Sequence, residues 1–179
     1  MEQALATFAG GCFWCMQPAF EQIPGVDSVV AGFTGGEQVN PSYEDVCLGY
    51  TGHVEAIQIT YQPERCAYAA LLDRYWRQCD PTDAGGQFAD RGEMYQSVIF
   101  VHNPAQQELA ERSKQALQEN GIFSRPIVTQ IRPAMPFYAA EDYHQAYHKK
   151  DPLAYCLYRE GSGRDRFLWR VWGGEHNAK

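Results

Sequence analysis

Two thiols separated by two aromatic residues follow a pair of glycines near the start of the chain. The run Gly10-Gly11-Cys12-Phe13-Trp14-Cys15 lies between a short apolar stretch and a helix-length segment. A thiol at the start of a helix lies near unpaired backbone N–H groups, which favour its reactive thiolate form. The glycines allow a sharp turn, and the rings of Phe13 and Trp14 suit a small apolar substituent such as a methyl group. We therefore predict that Cys12 is an attacking nucleophile.

Cys15 adds a second thiol at the spacing of dithiol redox sites, in which one thiol resolves the intermediate that the other has formed. Three alternatives stay open. The pair is half of a zinc site, although there is no second CxxC and the pair His144 and His148 lies far along the chain. Alternatively, both thiols are inert and buried. In the third alternative the protein is a general dithiol oxidoreductase, which the bulky Phe13 and Trp14 disfavour.

Four polar side chains are candidates to assist the nucleophile. Glu55 lies in an apolar strand, where burial would raise its pKa and make it a proton donor near neutral pH. The alternation of that strand, taken alone, favours a solvent-facing glutamate instead. Tyr43 and Tyr95 carry neutral hydroxyl donors for a developing oxyanion, although each is also an ordinary aromatic at the edge of a core. Asp90 lies at the mouth of a Gly-rich loop, where site residues are common.

A further thiol lies in the C-terminal segment, which lacks a clean apolar period. A flexible segment can carry a thiol to a reaction site, so Cys156 is a candidate resolving cysteine. The stretch Glu141-Asp142-Tyr143-His144 is interpreted as a helix start or a capped surface turn. The remaining cysteines fall on helix-like segments and are interpreted as small packing residues: Cys47, Cys66 and Cys79.

Composition excludes several classes of function. The chain has 179 residues, 45% hydrophobic and 21% charged, which is typical of one globular domain. Its net charge of -7, without a long run of Lys or Arg, argues against a nucleic-acid partner. The apolar stretches are shorter than the ~18 residues that span a bilayer, and the first residues lack the features of a signal peptide. We expect a cytoplasmic monomer without a membrane partner, in which structural disulfides are rare.

Hydrophobic periodicity predicts the element order β-α-β-β-α-β-α-β, with no internal repeat or linker. The predicted strands are 4–9, 26–33, 53–61, 95–102 and 127–131, and the predicted helices are 13–22, 67–78 and 104–120. We predict an α/β (α+β) fold, a two-layer sandwich with a ferredoxin-like mixed sheet core. We expect residues 1–179 to form a single catalytic domain, in which about 136–179 is an irregular C-terminal segment with one short helix.

Five motifs, in the same order along the chain, resemble those of the A-type peptide methionine-S-sulfoxide reductases. The resemblance covers roughly residues 6 to 165, and its first motif is highly specific. The motifs are Gly11-Cys12-Phe13-Trp14-Cys15, Thr51-Gly52-His53-Val54-Glu55-Ala56, Asp80-Pro81-Thr82, Asp90-Arg91-Gly92 and Ala140-Glu141-Asp142-Tyr143-His144-Gln145.

The resemblance implies a reaction and a role for each site residue. Cys12 would attack the sulfur of the S-epimer of methionine sulfoxide, free or in a protein, release methionine and become a sulfenic acid. Glu55 would be the acid that protonates the sulfoxide oxygen, and Tyr43 and Tyr95 would donate hydrogen bonds to the same oxygen. Phe13 and Trp14 would surround the methyl group, and Asp90 would orient the site.

The resemblance also implies how the enzyme is recycled. A second thiol converts the sulfenic acid into an intramolecular disulfide, which thioredoxin reduces; dithiothreitol serves in vitro, and no cofactor or metal is implied. Many members use a C-terminal cysteine, which Cys156 matches, and others carry a cysteine at the position of Cys15. Some add a cysteine in a Gly-rich tail, which Gly161 to Lys179 does not supply. On this basis we prefer Cys156, with Cys15 second.

Overall fold

The computed structural model describes residues 2–174, whose centre is a six-stranded mixed sheet. Its strands, in chain order, are β1 Ala4–Gly10, β2 Val26–Thr34, β3 Val54–Tyr61, β6 Ser97–Val101, β7 Gln130–Pro133 and β8 Tyr138–Ala139. Between β3 and β6 in the chain, β4 Gly86–Gln87 pairs with β5 Asp90–Arg91 in a separate short hairpin. In the sheet the order is β7-β6-β1-β3-β2-β8, and all neighbours are antiparallel except β6 and β7.

Eight α-helices connect and cover these strands in the described part of the chain. They are α1 Phe13–Met16, α2 Pro18–Glu21, α3 Tyr43–Cys47, α4 Tyr68–Trp76, α5 Pro104–Glu119, α6 Tyr147–Lys150, α7 Pro152–Ser162 and α8 Arg164–Trp172. Two 3-10 turns, Glu93–Tyr95 and Asp142–His144, precede β6 and α6. Among residues 2–174, no helix is long and apolar enough to cross a membrane.

The prediction of an α/β fold with a mixed sheet is confirmed. The four central strands lie in the order β6-β1-β3-β2, all antiparallel, as in the split β-α-β arrangement of a ferredoxin-like unit. The predicted strand at 127–131 lies at Gln130–Pro133, and α3 and β8 were not predicted. Helix α3 is five residues long, and a capping box between Ser42 and Asp45 begins it, a signal that depends on side-chain hydrogen bonds rather than on apolar period.

Strand β3 is buried on both faces at its N-terminal end, where Glu55 lies. Ile57 and Ile59 belong to the main core, whereas Val54 and Ala56 pack into a smaller cluster on the opposite face. Because side chains alternate along a strand, Glu55 points to the same side as Ile57. A glutamate is thereby placed in the main core.

The predicted helix over 13–22 is interrupted. Helices α1 and α2 flank Gln17, whose own backbone is helical. Pro18 lacks the N–H that would bond the carbonyl four residues earlier, so the ladder of hydrogen bonds breaks there. The result is a very short α1 directly after the nucleophile candidate.

The prediction of an irregular C-terminal segment is wrong for the described residues. From residue 147 the chain forms α6, α7 and α8, and Gly163, with φ +88°, turns the chain between the last two. The inward residues of α7 are Tyr155, Tyr158 and Arg159. Each of these side chains has an apolar body and a polar end, so the helix shows no clean apolar period. The end of the predicted segment, residues 175–179, lies outside the described residues.

Candidate active site

The turn between β1 and α1 carries Cys12 into a tightly packed pocket. Gly11 has φ +86°, and a Cβ added there would lie 2.5 Å from the Cβ of Gln87 and 2.9 Å from the Arg164 Nη2. A Cβ on Gly10 would lie 2.7 Å from the Met16 Cε. The glycines are therefore needed for close packing as well as for the turn. Cys12 is the residue that precedes α1, and it is 7% exposed.

Cys12 and Cys15 form a hydrogen-bonded thiol pair. The bond from Cys12 lowers the pKa of Cys15 to about 6, and the positive charges of Arg164 and Arg159 act in the same direction against burial. Burial raises the pKa of Cys12, and its bond with Cys15 and the negative charge of Glu55 add to this. The free pair therefore carries its negative charge mainly on Cys15.

The pKa of Cys12 is raised although the thiol lies at the start of α1, contrary to the expectation from sequence. Helix α1 has four residues, so its dipole is small. Its first free N–H, that of Phe13, is already bonded to the Glu55 Oε2 at 3.0 Å. The group that does favour the Cys12 thiolate is the hydroxyl of Tyr158, whose hydrogen bond lowers the pKa of Cys12.

Glu55 lies beside the thiol pair as a buried carboxyl. It is 2% exposed, which is incompatible with a solvent-facing glutamate. Burial raises its pKa to about 8, and the negative charges of Asp90 and Cys15 add to the effect, whereas the Phe13 N–H and the Arg164 charge oppose it. At neutral pH Glu55 is consequently mostly protonated and can donate a proton.

Tyr43 and Tyr95 face the same pocket and remain protonated. Burial is the main cause that raises the pKa of both hydroxyls. The negative charges of Glu55 and Cys12 raise both pKa values further, and the Cys47 thiol also bonds Tyr43. Both tyrosines are half-buried. They are neutral hydrogen-bond donors grouped around the carboxyl and the thiol.

Asp90 enters the pocket from the short hairpin of β4 and β5. Its carboxylate accepts a hydrogen bond from the hydroxyl of Tyr158, a residue of α7. Burial raises the pKa of Tyr158, as do the negative charge of Cys12 and the bond to Asp90. The single proton of this hydroxyl is donated to Asp90, and it stabilises a Cys12 thiolate only when it turns from the carboxylate to the sulfur.

Trp14 is positioned by the residues that follow β8. Its indole N–H donates to the His144 Nδ1 at 3.0 Å, and its ring stacks on Tyr147 with centroids 3.9 Å apart. The other ring nitrogen of His144 faces the Glu141 carboxylate at 3.6 Å. Burial lowers the pKa of His144, so this ring is neutral and accepts from the indole. Trp14 is thus a partly exposed ring with fixed orientation.

Phe13 contributes less open surface than expected. It is almost fully buried and packs against the rings of Phe33 and His144, at centroid distances of 5.6 Å and 5.1 Å. Its ring can form a wall of the pocket but belongs mainly to the core.

Cys156 lies away from the thiol pair in the described conformation. It is exposed on the outer face of α7 with Leu153 and Leu157, whereas Tyr155 and Tyr158 occupy the inner face. Since side chains one residue apart on a helix point about 100° apart, the face that carries Tyr155 and Tyr158 to the pocket turns Cys156 toward solvent. In the described conformation Cys15, and not Cys156, lies beside Cys12.

The two histidines considered as zinc ligands have other partners in the structure. His144 is bonded to Trp14, and His148 lies 3.2 Å from a carboxylate oxygen of Glu21. Among residues 2–174, no group of three or more His, Cys, Asp or Glu side chains is arranged to hold a metal ion.

Sequence reasoning missed three residues of the site, Tyr158, His144 and Arg164. The spacing Tyr155, Tyr158 and Arg159 is an i, i+3, i+4 pattern that could have indicated one face of a helix. His144 was considered only as part of a turn or as a metal ligand. Arg164 carried no local signal, because a buried arginine is uncommon.

Comparisons with known proteins agree on one family. A family model described as peptide methionine sulfoxide reductase matches residues 4–176. A peptide methionine sulfoxide reductase MsrA of Bacillus licheniformis is 56% identical over 178 residues, which are 99% of this chain and 98% of the relative.

Solved structures agree with the fold. Mxr1 from Saccharomyces cerevisiae in its reduced form has a TM-score of 0.79 and 31% identity, covering 85% of this chain and 87% of that one. Mxr1 in complex with Trx2 has a TM-score of 0.58 at 24% identity, covering 82% of this chain and 85% of that one, and at that identity it supports the fold alone.

Proposed function

Because this chain belongs to the peptide methionine sulfoxide reductase family, we propose that it reduces the S-epimer of methionine sulfoxide, free or in proteins, with Cys12 as the nucleophile. The observation that carries the proposal is a protonated carboxyl, that of Glu55, held in the same buried pocket as the thiol pair. Reduction of a sulfoxide needs a nucleophile for sulfur and a proton for oxygen. These two groups supply one each.

The first step transfers the sulfoxide oxygen to Cys12. As the Cys12 thiol approaches the substrate sulfur, its proton passes to the Cys15 thiolate, with which it already shares a hydrogen bond. The Cys12 sulfur attacks, Glu55 protonates the oxygen, and the S–O bond to the substrate breaks as the hydroxyl moves to the Cys12 sulfur. Methionine leaves with two more electrons, and Cys12 is oxidised to a sulfenic acid.

The surrounding residues hold the substrate for this attack. Tyr43 and Tyr95 donate hydrogen bonds to the sulfoxide oxygen, on which negative charge develops. The ring of Trp14, fixed by His144 and Tyr147, lies against the methyl group, and Phe13 backs it. Asp90 holds the Tyr158 hydroxyl beside Cys12, where the hydroxyl proton can turn to a Cys12 thiolate.

Cys15 is the resolving thiol that we propose first. It is already hydrogen-bonded to Cys12, whereas Cys156 would require α7 to rearrange before its thiol reached the pocket. The resulting disulfide needs an external dithiol to reduce it. We propose thioredoxin for this step, in a cytoplasmic monomer of a single catalytic domain.

Epimer-selective turnover tests the proposed activity. With dithiothreitol as reductant, the wild type should reduce the S-epimer of a methionine sulfoxide peptide and leave the R-epimer. Cys12→Ser should abolish this turnover, whereas Cys66→Ser, a thiol in a turn before α4, should retain it. Turnover of the S-epimer by Cys12→Ser would refute the role of Cys12. Rapid insulin reduction without sulfoxide reduction would favour a general dithiol oxidoreductase.

The resolving thiol is identified by oxidation with one equivalent of substrate. Mass spectrometry should then find a disulfide between Cys12 and Cys15. In steady state with thioredoxin, Cys15→Ser should lose turnover while it still releases about one equivalent of methionine, because the first step does not form a disulfide. Cys156→Ser should keep turnover. The opposite pattern would return the role to Cys156.

A further inference from the structure

A buried arginine from the C-terminal helices reaches under the turn that carries the thiol pair. Arg164, the first residue of α8, is 1% exposed. Its Nη1 donates to the carbonyl of Gly10 at 3.1 Å and to that of Gln78 at 2.6 Å. The same nitrogen contacts the Met16 Sδ at 3.7 Å, and Nη2 passes close to Gly11. The guanidinium therefore lies directly behind the Cys12–Cys15 segment.

This positive charge has no carboxylate partner among the described residues. Asp165, the adjacent residue, pairs instead with Arg159 at 2.8 Å. The Arg164 Nε is buried without a hydrogen-bond partner, and the guanidinium lies over the ring of Phe88. A buried charge is costly unless an opposite charge compensates it. Two carbonyls and a thioether supply dipoles but no net negative charge.

Among the groups around the thiol pair, the Cys15 thiolate is the anion that compensates the charge of Arg164. The positive groups that act on Cys15 are Arg164 and Arg159, and Arg159 also donates to the Cys15 carbonyl at 3.3 Å. The negative or titratable groups that face it from the other elements are Cys12 of the turn, Glu55 of β3, Asp90 of β5, and Tyr155 and Tyr158 of α7. Glu55 is mostly protonated, and the Asp90 carboxylate accepts from Tyr158.

We propose that Arg164 is a positioning residue for the second half of the reaction, the buried counter-ion that returns Cys15 to its thiolate form after Cys12 has become a sulfenic acid. The inference rests on the proposed function and on Cys15 as the resolving thiol. Once Cys12 is a sulfenic acid, its thiol no longer donates the hydrogen bond that favours the Cys15 anion. The positive charges of Arg164 and Arg159 are then the groups that favour the Cys15 thiolate.

Arg164 assists the formation of the disulfide between Cys15 and Cys12. Cys15 first releases to solvent the proton that it took from Cys12. Its thiolate then attacks the Cys12 sulfur, a sulfur–sulfur bond forms, and the bond from the Cys12 sulfur to its hydroxyl breaks. The hydroxide takes a proton from Glu55, which has regained one from solvent, and leaves as water. Cys15 is oxidised and the sulfenic sulfur is reduced, so no further oxidant or reductant is needed.

Titration of Cys15 without substrate tests the proposal. In a Cys12→Ser background, which imitates the loss of the Cys12 thiol, the pKa of Cys15 is measured from the ultraviolet thiolate absorbance that further replacement of Cys15 by Ser removes. Arg164→Gln should raise this pKa by about one unit or more, as expected for loss of an opposite charge at close range. Arg164→Lys, which keeps the charge, should raise it less. Arg112→Gln, an exposed arginine on α5, is the matched control and should leave it unchanged.

A single-turnover measurement with wild-type Cys12 gives the kinetic readout. At neutral pH, Arg164→Gln should form the disulfide about tenfold more slowly, while release of methionine in the first step is little changed. Equal pKa values of Cys15 in Arg164→Gln and Arg112→Gln would overturn the proposal. Equal effects of Lys and Gln would also overturn it, because they would indicate a packing role. Failure of sulfoxide reduction with a pKa shift still present would refute only the proposed function.

A stability measurement keeps the proposal falsifiable where Arg164→Gln does not fold. A thiol with a lowered pKa in the folded state adds stability as pH rises from about 6 toward its ordinary value of 9.0. This gain, measured as the difference between proteins with Cys15 and with Cys15→Ser, should persist in Arg164→Lys. Its complete loss in Arg164→Lys would contradict a role that depends on charge.

Discussion

Replacement of Glu55 by Gln should remove a pH-dependent loss of stability as well as activity. Glutamine keeps the size of the side chain and an oxygen that can accept from the Phe13 N–H, but it does not ionise. The pKa of Glu55 rises from its ordinary 4.5 to about 8 in the folded protein, mainly through burial. At about 1.4 kcal/mol for each pKa unit, ionisation of this residue in the folded state costs on the order of 5 kcal/mol.

The direction of the effect follows from which state holds the proton. Between pH 4.5 and about 8 the unfolded chain has lost the Glu55 proton, whereas the folded protein keeps it. The free energy of unfolding of the wild type therefore falls, through this group, as pH rises across that window. Glu55→Gln lacks this contribution. Relative to wild type, the variant should gain about 3.5 kcal/mol between pH 5 and pH 8.

Urea unfolding of both proteins at a series of pH values measures this difference. Glu64→Gln, an exposed glutamate, is the control and should differ from wild type by a constant amount. In turnover assays at neutral pH, Glu55→Gln should be slower by about 10²-fold or more, because the amide cannot deliver a proton. A flat stability difference across the window would refute a raised pKa at Glu55. Unchanged turnover would refute its role as the acid.

Two further substitutions test the surroundings of Cys12, one a hydrogen bond and the other the packing of the turn. Tyr158→Phe removes the hydroxyl bond that lowers the pKa of Cys12, so kcat/KM for the S-epimer should fall by about tenfold at neutral pH and recover at higher pH; an unchanged pH profile would contradict this role. Gly11→Ala adds a Cβ 2.5 Å from Gln87 at φ +86°, whereas Gly121→Ala meets no atom within 4 Å at φ +75°. Gly11→Ala should therefore lose about 1–3 kcal/mol more in urea unfolding than Gly121→Ala, which pays only for backbone strain; equal losses would mean that the turn relaxes around the added methyl group.

Local patterns predicted the longer elements well and the short ones poorly. The strand β1 and the helix α5 were predicted to within one residue at each end, because each carries a clear apolar period, and α5 also has Pro104 at its start. The break at Pro18 and the short helix α3 depend on single hydrogen bonds rather than on a period. Helix α7 was missed because its inward face carries Tyr and Arg instead of aliphatic residues, whereas α8 buries Leu168 together with Arg164.

The sequence by itself determined the kind of chemistry and most of the site residues. A Cys12 turn with two glycines and adjoining aromatic rings indicates a reactive thiol, and the five motifs indicate the family, because both signals are made of residues close together in the chain. The sequence left open whether Glu55 faces solvent or core. It also left open which thiol approaches Cys12.

Only the tertiary structure decided those points, because each depends on groups far apart in sequence. Burial of Glu55 comes from β3 being covered on both faces, which alternation along one strand does not reveal. The negative charge of the thiol pair falls on Cys15 because Arg159 and Arg164, almost 150 residues away, are brought beside it by α7 and α8. The same helices turn Cys156 toward solvent, so the direction of a helix face, and not spacing, decides which thiol lies beside Cys12 in the described conformation.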